Sequence, residues 1–176
     1  GTEVELGDAI EMADAWVFGA GDPYFYTATL FEPSITRWEL RSDGSFVKRE
    51  LVSFMIEGVM GTYTAAFTPL FARDKSYFVD SASAQVVVWN PSDMTFLRTI
   101  PIQLEDQPGM VPELSISVRQ DRILVSVFWA SESSGWTKFG ASTQLSAIDP
   151  STDTVVETNS LEGCESLSPA GVTSDG

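Results

Sequence analysis

Histidine is absent from this sequence, and cysteine occurs once, as Cys164. Histidine is the commonest general base and a frequent transition-metal ligand, so its absence removes both roles from anything this chain does by itself. A single cysteine excludes a disulfide bond within the chain. We expect Cys164 to be a buried free thiol, with a bridge to another polypeptide as the alternative.

Basic residues are scarce, with ten Lys and Arg against 25 Asp and Glu, for a net charge of −15. The negative electrostatic field of such a charge repels phosphate backbones, so nucleic acid is not expected as a partner. No stretch approaches the roughly 18 apolar residues of a membrane-spanning helix, so no span is predicted. No basic start precedes an apolar stretch either, and we expect an exported protein whose signal peptide is already absent.

What the sequence does contain is an internal repeat. Segments 37–47, 87–97 and 146–156 each combine an apolar-rich strand, a tight polar turn and a second β-branched or aromatic strand. Pro, Ser, Asp and Gly favour turns, while Val, Thr, Phe and Ile suit a half-buried pleated surface. The repeat therefore predicts hairpins about 50 to 60 residues apart.

A second series of turn-like clusters recurs around Asp22, Asp74, Asp121 and Asp175, and the first three precede strand-like runs. The two series interleave, which predicts four strands in each unit. These aspartates recur for backbone reasons, because Asp side chains satisfy the amides of a turn.

The predicted fold is all-β: a β-propeller with three four-stranded blades near 15–52, 65–101 and 114–159, and a fourth that begins near 168. A period of about 50 residues with four short strands is typical of propeller blades. A β-sandwich is the alternative, since it also contains many short strands, but it does not predict a four-strand period. Residues 3–15 are expected to be an irregular lead-in.

Residues 76–102 and 144–158 resemble the repeat of YVTN-type and related surface-layer propellers. Residues 77–102 are similar to the family pattern, which consists of tyrosine-valine, a polar loop, a valine-rich strand, aspartate-proline and threonine-isoleucine-proline. Residues 148–156 are similar to part of the same pattern. The first unit departs from it, with Arg41 in place of proline. The resemblance implies an exported propeller of about seven blades and no catalytic residues, because members share a scaffold rather than a reaction.

Three units and a fraction cannot close a propeller, and an open blade exposes a strand edge. We therefore expect residues 1–176 to be the N-terminal part of one propeller domain. The expected partner is its C-terminal remainder, on another chain or a missing segment.

The best candidate binding site is the Ser/Gly-rich insertion at 129–139. Trp129, Glu132, Trp136 and Phe139 are its candidate ligand-binding residues, for a small molecule, a glycan or a peptide. The alternative is that the tryptophans cap the core or pack on other blades. No metal site or cofactor is predicted, with calcium as the one ion that carboxylates from several loops could hold.

The predicted function is that of an exported, non-enzymatic binding or surface-associated module. The alternative is a lactonase-like hydrolase or lyase whose active-site groups are shared with blades missing from this chain. No nucleophile elbow, phosphate loop or Cys/His cluster supports a more specific activity.

Overall fold

The computed structural model describes residues 13–16, 18, 22–29, 33–55, 59, 71–118, 121–133 and 136–164. In that part of the chain it contains eleven β-strands: β1 (Ala13–Trp16), β2 (Tyr24–Thr29), β3 (Ser34–Leu40), β4 (Phe46–Ser53), β5 (Ser76–Asp80), β6 (Gln85–Asn90), β7 (Thr95–Pro101), β8 (Val111–Val118), β9 (Ile123–Ser133), β10 (Trp136–Asp149) and β11 (Thr154–Glu162). The prediction of an all-β fold is confirmed. Among the described residues, no helix is long and apolar enough to cross a membrane.

The strands form three antiparallel sheets, and within each sheet the strand order follows the chain. The orders are β1-β2-β3-β4, β5-β6-β7 and β8-β9-β10-β11. The chain divides near the end of β7 into two compact units, Gly1–Thr99 and Ile100–Gly176. The first unit therefore holds the first two sheets, and the second unit holds the third.

The observed strands follow the predicted series, with two corrections. Residues 13–15, expected to end an irregular lead-in, form the start of β1 because they pair with residues 27–29 of β2. The insertion at 129–139 is not a loop, because β9 continues to Ser133 and β10 begins at Trp136. Ser133 pairs with Trp136, so the two strands of a long hairpin remain paired as far as these two residues. Residues 65–70 of the strand predicted near 65–71, the strand predicted near 168–172 and residues 3–12 of the expected lead-in lie outside the described residues, and residue 71 is described outside any strand.

Two of the predicted turns share one local geometry. Asp43 Oδ1 accepts hydrogen bonds from the amide and the hydroxyl of Ser45, at 2.9 and 2.6 Å. Asp149 does the same with Ser151, at 2.8 and 2.7 Å. The serine hydroxyls, followed by the serine amides, hold the pKa of both aspartates below its ordinary value. Asp43 and Asp149 therefore stabilise the polar turns that were predicted within segments 37–47 and 146–156.

The core of the first unit lies between its two sheets. Its buried members are Tyr26, Ala28, Ile35, Phe54, Val59, Phe78, Val87, Trp89 and Met94. The Tyr26 and Trp89 rings meet edge to face at 5.9 Å, and Phe54 packs on Phe78 at 4.9 Å. Burial of these large side chains contributes about 1.5–3 kcal/mol each, so aromatic packing holds the two sheets together.

Polar contacts at the turns join the same two sheets. Arg73 Nη2 lies 2.8 Å from Asp22 Oδ2 and forms an ion pair with it. The directions of the two groups do not meet the criteria for a hydrogen bond at Asp22 Oδ2. Asp22, which precedes β2, is only 2% exposed at its side chain, and its Oδ1 accepts from the Tyr24 amide at 3.0 Å. The Arg73 guanidinium also lies 5.4 Å from the centre of the Phe18 ring. Arg73 thus neutralises a buried carboxylate of the neighbouring sheet.

Replacing Arg73 with Ala is expected to lower the free energy of unfolding by about 1–3 kcal/mol, because it leaves the Asp22 carboxylate buried without a cation. Chemical denaturation measures this change. Arg41→Ala, which removes an exposed arginine from a turn, is the matched control and should stay within about 0.5 kcal/mol of wild type. Equal effects of the two variants would contradict the proposed role of Arg73.

Candidate functional site

The hairpin of β9 and β10 extends past both of its neighbours in the third sheet. The pairing of β8 with β9 ends at Val111 opposite Ala130, and the pairing of β11 with β10 ends at Glu162 opposite Ser142. Residues 131–133 and 136–138 pair only with each other in the described register. The third sheet therefore carries a two-stranded ribbon that projects beyond its edge.

Strand parity decides which aromatic side chains of this hairpin are accessible. Val125, Val127 and Trp129 alternate along one face of β9 and are at most 2% exposed. Trp129 lies opposite Pro112 in β8 and packs closely on β10, where a Cβ at Gly140 would approach the Trp129 Cβ to 3.2 Å. Glycine at 140 therefore permits the close approach that buries Trp129.

The opposite face of the sheet carries an accessible aromatic pair. Phe128 and Phe139 lie with their ring centres 6.3 Å apart, and Phe139 is 40% exposed. Phe139 pairs with Ala130, and Ala130 pairs with Val111 on its other side. Val111 is 61% exposed. Residues directly opposite in antiparallel strands point to the same face. These four residues, together with Glu113, form what we term the hairpin-base patch.

Glu113 supplies the polar group of the hairpin-base patch. It lies directly opposite Phe128 across the β8–β9 pair and is half-buried. Burial raises the pKa of the Glu113 carboxyl above its ordinary value of 4.5. A carboxylate with incomplete hydration accepts hydrogen bonds strongly, so the patch combines apolar rings with one strong acceptor.

A buried glutamine holds the segment that leads into β8. Gln144 in β10 is fully buried; its Oε1 accepts from the Glu105 amide at 3.2 Å and its Nε2 donates to the Gln103 carbonyl at 2.8 Å. The same Nε2 donates to Ser146 Oγ at 3.3 Å. These contacts fix the chain before β8, and β8 carries Val111 and Glu113.

The sequence-predicted site residues separate in the structure. Phe139 is exposed, whereas Trp129 is buried. The backbone of Glu132 lies in β9 and that of Trp136 lies in β10. The side chains of these two residues are not among those that the structure describes. That these residues bind a ligand stays a prediction.

Phe128 was not singled out from the sequence. Residues 123–129 form an almost unbroken apolar run, and such a run does not reveal which alternate residues face the core. Glu113 stood out only as one of several carboxylates near predicted loops. The pairing register of β8 with β9 is what identifies Phe128 and Glu113 as neighbours on the accessible face of the sheet.

Carboxylate and thiol groups do not converge on a metal-binding cluster in the part of the chain that the structure describes. Cys164 is half-buried, and its carbonyl accepts a hydrogen bond from the Thr143 hydroxyl at 2.8 Å. The suggestion of calcium stays a prediction.

No family model and no curated protein matches this chain. Among solved structures, it is similar to the hydrazine synthase of Kuenenia stuttgartiensis, with 10% identity and a TM-score of 0.36. The match covers 80% of this chain and 46% of that one, so this chain spans less than half the length of the matching protein. At this level the likeness supports no argument about function, and the resemblance to YVTN-type repeats stays a prediction.

Replacing Glu113 with Gln tests the electrostatics of the patch. Because burial raises the pKa in the folded state, the folded protein binds this proton more tightly than the unfolded chain does. The protonated Glu113 carboxyl therefore contributes to the free energy of unfolding. This contribution is complete below the ordinary pKa of 4.5 and is lost as the pH rises through the raised pKa.

Since Gln does not ionise, we expect Glu113→Gln to melt at a higher temperature than wild type at pH 7 and at nearly the same temperature below the ordinary pKa. Thermal melts across this pH range provide the measurement. A variant that is less stable at pH 7, or whose difference does not depend on pH, would show that burial does not control this carboxyl.

Proposed function

We propose that this chain is part of an exported β-propeller and acts as a non-enzymatic binding module. The observation that supports binding most directly is the hairpin-base patch, where the exposed Phe139 ring packs beside Phe128 and the half-buried Glu113 lies directly opposite Phe128 in the next strand. Both sit on paired strands rather than on a free loop, and rigid elements hold binding groups more accurately than loops do.

Two features of the sheets support a propeller scaffold over a sandwich. Each sheet is a meander of consecutive strands, whereas the Greek-key connections of a sandwich move the chain between sheets. In each sheet the last strand, β4, β7 or β11, is also the most exposed of those whose burial is described. A propeller blade has this gradient because its last strand lies at the outer rim.

Two aromatic rings and an acceptor suit ligands that have a flat apolar face with hydroxyl or amino groups at its edge. Sugars have this form, as do peptides in which an apolar side chain adjoins a basic one. The acidic balance of residues 100–176, with eleven Asp and Glu against three Lys and Arg, disfavours anionic ligands. A glycan is the ligand class that we propose.

Export, additional repeat units on a partner polypeptide and attachment to a surface belong to the same proposal. They derive support from the repeat and from the acidic composition alone. The lactonase-like alternative gains no specific support from the described residues.

A glycan microarray, followed by calorimetry with the best oligosaccharide, tests the proposal. Phe139→Ala is expected to weaken binding about 2- to 12-fold, because a lost stacking contact costs about 0.5–1.5 kcal/mol. Leu51→Ala, which truncates a side chain that is 52% exposed in another sheet, is the control and should leave binding unchanged. Absence of any glycan binding, or equal effects of the two substitutions, would contradict a glycan-binding patch.

A further inference from the structure

Strand β11 is a long, accessible edge. It lies at the end of the third sheet and has nine residues, eight of which pair with β10, and β10 is its one neighbour in the described register. Eight of the nine residues are exposed, including Val155 and Val156. Its outer row of backbone donors and acceptors is therefore directed away from the sheet, where an added strand would pair.

The other sheet edges are obstructed by devices that natural proteins use against strand addition. β1 has only four residues, and β5 is buried along its whole length. Lys48 and Arg49 stand in β4, Arg98 and Pro101 in β7, and Pro112 in β8. Lysine, proline and short length all hinder pairing at an edge, and β11 contains neither lysine, arginine nor proline.

The second half of β11 is also regular. The register with β10 shifts once, between Ala147 and Ile148, and then runs without interruption from Glu157 to Glu162. These six residues present the straight geometry that a further antiparallel or parallel strand requires, since bulges twist an edge away from a partner.

The charge of this edge indicates the kind of strand that it accepts. Glu157 and Glu162 are its only charged residues, and both are exposed. A second copy of this chain is a poor partner, because antiparallel pairing of the segment with itself would set Glu157 of one copy opposite Glu162 of the other. Like charges directly opposite each other destabilise a pair, whereas Lys or Arg at these positions stabilises it.

We propose that β11 recruits an extended, basic segment of a partner protein, which adds a fifth strand to the third sheet. Main-chain hydrogen bonds supply the affinity, and the two glutamates select basic residues in the incoming strand. This site is distinct from the hairpin-base patch and does not depend on it.

Glu157 and Glu162 are five residues apart and therefore face opposite sides of the sheet. Two synthetic ten-residue peptides of valine and threonine test the proposal, one with lysine at positions 3 and 8 and one with glutamate at the same two positions. Hydrogen exchange followed by NMR is expected to show about tenfold slower exchange of alternate β11 amides with the lysine peptide and no change with the glutamate peptide. Phe139→Ala should behave as wild type in this experiment, which separates this site from the glycan patch.

Charge reversal provides the matched comparison. The double variant Glu157→Lys, Glu162→Lys should bind the lysine peptide about tenfold more weakly and should now bind the glutamate peptide. Asp74→Lys, which reverses an exposed acidic residue before β5 in another sheet, should leave the binding of both peptides unaffected.

Three outcomes would overturn the proposal: unprotected β11 amides, equal binding of the lysine peptide to wild type and the double variant, or pairing of β11 with a second copy of the chain.

Discussion

The register of the antiparallel strand pairs is the constraint on which the rest of this structure depends. Side chains alternate between the two faces of a strand, so a shift of one residue would exchange buried and exposed sets. In the third sheet the pairing of Glu113 with Phe128 places Trp129 inside and Phe128 outside. The same pairing brings a carboxyl to the aromatic patch, so the candidate site follows from the register.

Much of the fold could be predicted because the turns are stabilised by hydrogen bonds between residues that are close in the sequence. Asp43 and Asp149 each hold a turn with a following serine, and this pattern is visible in the sequence as a recurring polar cluster. Turns at regular intervals define consecutive hairpins, and consecutive hairpins form meander sheets. The joining of sheets by Arg73 and Asp22 was not visible, because it depends on two turns 51 residues apart.

The candidate site was less predictable, for two physical reasons. The Ser/Gly-rich stretch near 131–135 has the composition of a loop, yet β9 and β10 remain paired as far as Ser133 and Trp136 because each strand supplies the other's backbone partners. The apolar run at 123–129 contains no alternation, so composition did not distinguish Phe128 from Trp129. Of the two predicted candidates whose burial the structure describes, Phe139 is exposed and Trp129 is buried.

The third sheet thus combines a protected face, an aromatic patch and an open edge on one scaffold. Side-chain nuclear Overhauser effects measured by NMR test the register behind this account most directly. The account predicts cross-peaks between the Phe128 and Phe139 rings and between Phe128 and Glu113. Cross-peaks from the Trp129 ring to Phe139 and Glu113 in their place would show a register shifted by one residue and would contradict it.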